Sequence, residues 1–249
     1  NAYSWSPSTG LSSSSVAQPT ANPTVTTTYT VTVTGSNGCT ASDVVVVNVN
    51  TTPPVADGGP NKNLNCTTPS TTIGVAAVSG NTYSWSPATG LSATNVAQPT
   101  ASPSSTTTYT VVVTGSNGCT ASDVVLVNVN NTPPTANADN DKTLNCLTTS
   151  VQIGTPALSG YTYSWSPATG LSSTTIAQPT ASPNATTTYT VTVTGTNGCT
   201  ASDAVVITID KAPPAADAGA DKNLNCSVTS TSIGTAAIPG NTYSWNPST

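Results

Sequence analysis

From Thr106 to Thr114 the chain alternates threonines with Tyr109, Val111 and Val113. A period of two puts the apolar residues on one face of an extended strand and the threonines on the other. Gly115-Ser116-Asn117-Gly118 then predicts a turn, because Asn-Gly accepts positive φ. The next strand is predicted over Cys119–Val129, with Val125, Val127 and Val129 on one face. Val124 and Leu126 point the other way, which predicts cover on both sides for part of that strand. Upstream, short strands are predicted near Asn63–Cys66, Thr71–Val75 and Thr82–Ser86, the last stopped by Pro87. A loop with weak strands follows from Ala88 to Pro103. No segment carries the apolar stripe of a helix.

The pattern recurs along the chain. Trp5, Trp85, Trp165 and Trp245 are spaced by 80, as are Cys39, Cys119 and Cys199, and Cys66, Cys146 and Cys226. Thr106–Asp123 and Thr186–Asp203 differ at only two of 18 positions. Such self-similarity is the signature of a repeat architecture. The pairs Pro53-Pro54, Pro133-Pro134 and Pro213-Pro214 make the best boundaries, since proline stiffens a linker and donates nothing to a sheet. Complete units are therefore expected at 53–132 and 133–212, with a C-terminal part at 1–52 and an N-terminal part at 213–249. Residues 241–249 overlap residues 1–9 in register, and we read the chain as a slice of a longer, near-uniform array. It shows no initiator Met, signal peptide or sorting tail.

About seven short strands in such a unit fit an immunoglobulin-like sandwich. The expected fold is all-β: a tandem array of immunoglobulin-like (PKD-like) β-sandwich domains of 80 residues. In that frame Trp85 and Trp165 sit where such sandwiches bury a central aromatic. Tyr109 and Tyr189 open the penultimate strand, where a hydroxyl bonds back to backbone. These four are the expected core aromatics; the competing reading is sugar stacking on exposed rings.

The segments YSWSPATGLS, AQPTASP and TTTYTVTVTG, followed by NGCTASD, resemble the PKD/Ig-like repeats of giant surface adhesins from the Bacteroidota. The SprB-type gliding adhesins are the nearest functional example. Where a standard PKD domain continues Trp-Asp-Phe-Gly-Asp-Gly, this chain has Trp85-Ser86-Pro87, so the resemblance is to a divergent branch. It covers essentially the whole chain and implies export through the type IX pathway, display on the outer surface, and a part in adhesion or gliding motility.

Composition narrows the chemistry. Only 5% of the residues are charged, namely four Lys and nine Asp, with no His and a net charge of −5. Without His there is no Ser-His-Asp or Cys-His machinery and no imidazole metal ligand. Without Arg, and at this charge, a nucleic-acid partner is excluded as a working reading. The longest apolar stretches are strand-length, so no membrane span is predicted in this segment.

Two cysteines per repeat predict one structural disulfide per repeat, and hence an oxidising, extracellular compartment. Zinc spacing of the C-x-x-C type is absent. The favoured pairs lie inside a unit, Cys66–Cys119 and Cys146–Cys199. Each closes a loop of about 54 residues, worth roughly 4 kcal/mol in the chain-entropy model. The alternative is Cys39 with Cys66 across a junction. The intra-unit pairs carry a geometric difficulty: in a standard sandwich the end of the first strand and the start of the last lie at opposite poles.

Other candidate chemistry is thin. Asp57, Asp139, Asp141, Asp217 and Asp221 lie in or near the linkers, where a junction calcium would need six to eight oxygens; solvated linker acids are the plainer reading. Asp123 and Asp203 are expected to hold a turn by hydrogen bonding. Lys62, Lys142 and Lys222 raise a Lys–Asn isopeptide crosslink, with Asp123 as proton shuttle, against solvated lysines. Asn65-Cys66-Thr67 and Asn184-Ala185-Thr186 match the glycosylation sequon, and the threonine alternation resembles an ice-binding face; both patterns arise by chance in this composition.

The sequence thus points to a non-catalytic, cofactor-free repetitive stalk of a long extracellular adhesin or cell-surface filament, giving reach and force transmission. Its partners are neighbouring repeats, with lateral self-association and a surface or glycan ligand left open. The alternatives are a glycan-binding array, or spacer repeats of a secreted hydrolase.

Overall fold

The computed structural model describes residues 1–246, so the last three residues of the expected partial unit at 213–249 lie outside the described residues. Every named element is a β-strand. Among the described residues no helix is long and apolar enough to cross a membrane. The chain divides into two compact units. The first comprises Asn1–Thr132 together with Asn197–Cys199, and the second comprises Pro133–Thr196 and the chain from Thr200 onward.

The first unit opens with a three-stranded sheet of β1 (Ala2–Ser6), β2 (Thr27–Thr34) and β3 (Thr40–Val47), in that order. It continues as a sandwich. One layer holds β4 (Lys62–Asn65), β6 (Thr82–Ser86), β8 (Thr107–Thr114) and β9 (Thr120–Asn130), in the order β4-β9-β8-β6. The other pairs β5 (Thr71–Thr72) with β7 (Thr100–Ala101), extended by a bridge between Leu91 and Ala101. β8 and β9 form an antiparallel hairpin with Thr107 opposite Val127 and Thr114 opposite Thr120. β6 pairs antiparallel with β8, setting Trp85 opposite Val111. β4 runs parallel to β9, with Lys62 opposite Val127 and Asn65 opposite Asn130.

The core follows the period-two pattern. Tyr109, Val111 and Val113 of β8 and Val125 and Val127 of β9 are buried, and they close on Leu64, Ile73, Trp85 and Ala101. Cover on the far face of β9 is partial: Leu126 is half-buried while Val124 is 57% exposed. Gly74 explains why β5 is shorter than its β-rich sequence suggests. Its φ is +80°, and a Cβ there would collide with the Ala97 carbonyl and lie 2.9 Å from Trp85 Cζ2. Only glycine lets the backbone come this close to the tryptophan at that φ.

The second unit repeats this sandwich. β10 (Lys142–Leu144), β12 (Thr162–Ser166), β14 (Thr187–Thr194) and β15 (Thr200–Ile209) form the sheet β10-β15-β14-β12, and β11 (Val151–Gln152) pairs with β13 (Thr180–Ala181). Its core contains Leu144, Ile153, Trp165, Tyr189, Val205 and Ile207. The fold is therefore all-β, built from repeated β-sandwiches.

Candidate functional site at the repeat ends

The turn between β8 and β9 does two jobs. Gly118 takes φ +79°, and the turn closes through Gly118 N–H to the Gly115 carbonyl (2.9 Å) and Gly115 N–H to the Cys119 carbonyl (2.9 Å). The Asn117 Oδ1 accepts the Cys119 N–H at 3.1 Å, which leaves its amide Nδ2 pointing outward. That Nδ2 donates to the Asn50 carbonyl (3.2 Å), the Asn50 Oδ1 (3.2 Å) and the Thr52 carbonyl (2.9 Å). One short side chain thus fastens a hairpin turn to the end of the preceding repeat.

Asn197, which belongs to the first unit, repeats the arrangement. Its Nδ2 donates to the Asn130 carbonyl (3.3 Å), the Asn130 Oδ1 (3.0 Å) and the Thr132 carbonyl (2.9 Å), while its Oδ1 accepts the Cys199 N–H at 3.1 Å. Here a covalent bond is added. Cys66 and Cys199 form a disulfide with their Cα atoms 5.0 Å apart and a sequence separation of 133. Asn65 stands opposite Asn130 in the parallel register, and Asn197 grips that same Asn130. Cys66 directly follows β4, so the two sulfurs meet. The Asn65 Oδ1 holds the cysteine's own loop by accepting the Thr67 N–H (3.0 Å), the Thr68 N–H (2.9 Å) and the Thr67 hydroxyl (2.8 Å).

This pairing corrects the sequence expectation. The bonds Cys66–Cys119 and Cys146–Cys199 do not form, nor does Cys39–Cys66; Cys39, Cys119, Cys146 and Cys226 are free thiols. The reason is the parallel register of β4 and β9. Cys66 follows the residue opposite Asn130, at the end of β9, whereas Cys119 precedes Thr120, at its start. An eleven-residue strand lies between them. At about 3.3 Å per residue that is roughly 36 Å, far beyond the ~7 Å Cα limit of a disulfide.

The aspartates serve the backbone. Asp123 Oδ2 accepts the Gly58 N–H at 2.7 Å, and Asp203 Oδ2 accepts the Ala138 N–H at 2.8 Å. Each carboxylate ties the segment after a Pro-Pro pair to the last strand of its own repeat. The Gly58 and then the Val124 N–H groups hold the Asp123 carboxyl below the usual carboxylate range, with slight burial opposing them. Asp57 and Asp217 accept from the N–H of Gly59 and Gly219, both at 2.7 Å, and Asp141 accepts from Val206 N–H at 2.8 Å. Asp139, at φ 75°, pairs with Lys142 at 2.7 Å; the hydrogen bond from Lys142, then that from Asn140 N–H, lowers its carboxyl pKa. Asp221 is exposed. Among the described residues these carboxylates do not gather in threes. The Lys142 side chain is a partly exposed surface partner, not the buried amine that an isopeptide bond requires.

The four expected core aromatics are interior. Trp85 and Trp165 are each 3% exposed, and their indole N–H groups donate to the Val96 carbonyl (2.9 Å) and the Ile176 carbonyl (3.0 Å). Tyr109 and Tyr189 are 0% exposed, and their hydroxyls donate to the carbonyls of Thr89 (2.7 Å) and Thr169 (2.6 Å). Burial pushes both phenol pKa values up, with the hydroxyls of Thr107 and Thr187 opposing it. The bond reaches twenty residues back along the chain rather than the few of a standard tyrosine corner.

No protein-family model matches this sequence, and no curated protein matches it. Among solved structures the chain is similar to three extracellular cadherin domains of mouse cadherin-23 (TM-score 0.40, 15% identity, 85% of this chain and 86% of that one). It is also similar to extracellular domains 3–5 of Drosophila OTK (TM-score 0.35, 12% identity, 75% of this chain and 72% of that one). Immunoglobulin domains 1–5 of Sidekick-1 give a TM-score of 0.33 at 12% identity, over 84% of this chain and 52% of that one. The fold assignment rests on the strand order and register given above.

Sequence reasoning missed Asn117, Asn197 and Gly74. Asn-Gly was enough to account for a turn, so nothing in the motif asked for a second role of the amide. The signal available was the return of the same Asn two residues before Cys39, Cys119 and Cys199, at Asn37, Asn117 and Asn197, a constancy that turn chemistry alone does not demand.

Proposed function

We propose that this chain is a non-catalytic, force-transmitting repeat region of an extracellular adhesin or surface filament, with complete domains at 53–132 and 133–212. The observation that carries the reading is the Cys66–Cys199 bond, which ties residues 133 apart at the place where Asn197 already grips Asn130 and Thr132. Disulfides of this kind persist in oxidising compartments, which supports a location outside the cytoplasm. Repeats that touch only their neighbours transmit tension along one line, and a covalent tie limits how far they unravel. The finer reading, cell-surface display on a SprB-type gliding adhesin exported by the type IX route, is supported by the repeat resemblance alone.

Single-molecule pulling tests the mechanism. The bond hides 133 residues from extension. At ~3.4 Å per residue, reduction releases roughly 45 nm of additional contour length on full unfolding. Equal extension with and without reductant overturns the force-limiting role. The buried indoles of Trp85 and Trp165 speak against sugar stacking, and a glycan array with no binders is the matching expectation.

A further inference from the structure

Three Asn-Gly pairs occur in the chain, Asn37-Gly38, Asn117-Gly118 and Asn197-Gly198, each in the turn of a β-hairpin. Asn-Gly is the dipeptide from which a side-chain amide is most readily lost. The glycine nitrogen attacks the asparagine Cγ, and no side chain on the glycine obstructs the ring that forms. The N–Cγ bond forms as the Cγ–Nδ2 bond breaks, and the glycine N–H proton leaves with Nδ2 as ammonia. Water then opens the succinimide to aspartate or isoaspartate, with no oxidant or reductant involved.

At Asn117 and Asn197 the nitrogen that would leave is the one that fastens a turn to the preceding repeat. The Asn117 Nδ2 donates to the Asn50 carbonyl, the Asn50 Oδ1 and the Thr52 carbonyl, the last at 2.9 Å. The other end of the carboxamide takes the Cys119 N–H, and the Gly118 N–H, the attacking group, is given to the Gly115 carbonyl at 2.9 Å. Bringing Cγ onto the Gly118 nitrogen requires the carboxamide to turn out of these bonds, so a closed junction opposes the reaction. Asn197 is held in the same way by Asn130, Thr132 and the Cys199 N–H. There a Cβ on Gly198 would collide with Thr67 Cγ2, so the turn is packed against the preceding repeat as well as bonded to it.

The product reverses the chemistry of the clamp. An aspartate at 117 still accepts the Cys119 N–H, which preserves the turn. It has no N–H to donate, and it turns a carboxylate toward three acceptor oxygens. An isoaspartate also adds the side-chain methylene to the main chain of the turn. We propose that Asn117 and Asn197 are deamidation sites gated by the junction itself: the amide is protected while the clamp is closed, is lost as ammonia while the clamp is open, and leaves an acidic turn that does not close again. Each junction thereby keeps a permanent chemical record of having been opened. This goes beyond the force-bearing reading and does not depend on it.

The full 249-residue chain tests this by incubation in mildly alkaline buffer, folded or in urea, followed by reduction, trypsin and mass spectrometry. Cuts after Lys62, Lys142 and Lys211 leave one Asn-Gly pair in each of peptides 1–62, 63–142 and 143–211. Asn37 is the reference within the chain. It makes the same turn, with the Gly38 N–H on the Gly35 carbonyl (3.0 Å), and its Nδ2 holds no carbonyl among the described residues. In the folded chain Asn117 and Asn197 are expected to lose ammonia at least ~10-fold more slowly than Asn37, because two or more hydrogen bonds must break first. In urea the three convert at similar rates. Equal rates in the folded chain overturn the proposal. Asn117→Asp supplies the product directly, and proteolysis between Asn48 and Thr52 is expected to rise by ~10-fold with the buried-tryptophan spectrum retained. Cleavage there no faster than in the unsubstituted chain also overturns it. The rate comparison uses the unsubstituted chain and stands whether or not the variant folds, and neither arm bears on the pulling result expected of the Cys66–Cys199 bond.

Discussion

Removing either sulfur of the Cys66–Cys199 bond makes the strongest test of the junction. The loop it closes is 133 residues long, and the chain-entropy relation then gives about 5 kcal/mol of stabilisation at 25 °C. Cys199→Ser is expected to lower the urea midpoint by roughly 2–3 M for an m-value near 2 kcal/mol/M, followed by tryptophan fluorescence. Cys66→Ser should lose the same amount, and the double variant no more than either single one, because one bond is removed in all three. Trypsin supplies the covalent proof. It cuts after Lys62, Lys142 and Lys211, so a Cys66–Cys199 bond joins peptide 63–142 to peptide 143–211. Cys66–Cys119 and Cys146–Cys199 would each close inside one peptide and leave the two apart. Unlinked peptides, or losses that add between the two single variants, refute the reasoning.

Tyr109→Phe removes a buried hydroxyl bonded to the Thr89 carbonyl at 2.7 Å, and should cost about 1 kcal/mol and lower the melting temperature of that domain by about 4–8 °C. Tyr83→Phe is the control: its hydroxyl accepts the Val78 N–H at an exposed site, and calorimetry should register less than about 0.5 kcal/mol. Gly74→Ala forces a side chain into φ +80° against the Ala97 carbonyl and Trp85. The expected loss is about 2–5 kcal/mol by chemical denaturation, with a red-shifted tryptophan spectrum. The Asp123 carboxyl sits below its ordinary value near 4 in the fold, so its contribution is complete above about pH 4 and disappears as the pH falls through the folded value. Asp123→Asn should flatten that part of the urea midpoint against pH between pH 5 and 2, and an unchanged slope would assign the acid sensitivity elsewhere.

Strand pattern carried well from sequence to fold because it depends on neighbours. Tyr109, Val111 and Val113 alternate with threonines, and β8 appears at Thr107–Thr114 with those three buried. β6 occupies Thr82–Ser86 as its aromatic spacing and Pro87 imply. β5 shrinks to Thr71–Thr72, because the backbone constraint at Gly74 comes from Ala97 and Trp85, which are distant in sequence. The junction was hidden for the same reason. Whether Cys66 can reach Cys119 is decided by the direction of β4 against β9, a pairing of residues 65 apart that only the closed sandwich reveals. Asp123 was legible as a hydrogen-bonding residue, but its partner Gly58 lies across the domain.

The Cys66–Cys199 bond also changes what a protease can accomplish. Everything between those two residues, the Pro133-Pro134 linker included, belongs to a closed covalent ring. A nick inside the ring opens a loop without parting the chain. However many cuts fall there, the residues before Cys66 and those after Cys199 stay in one molecule until a reductant arrives.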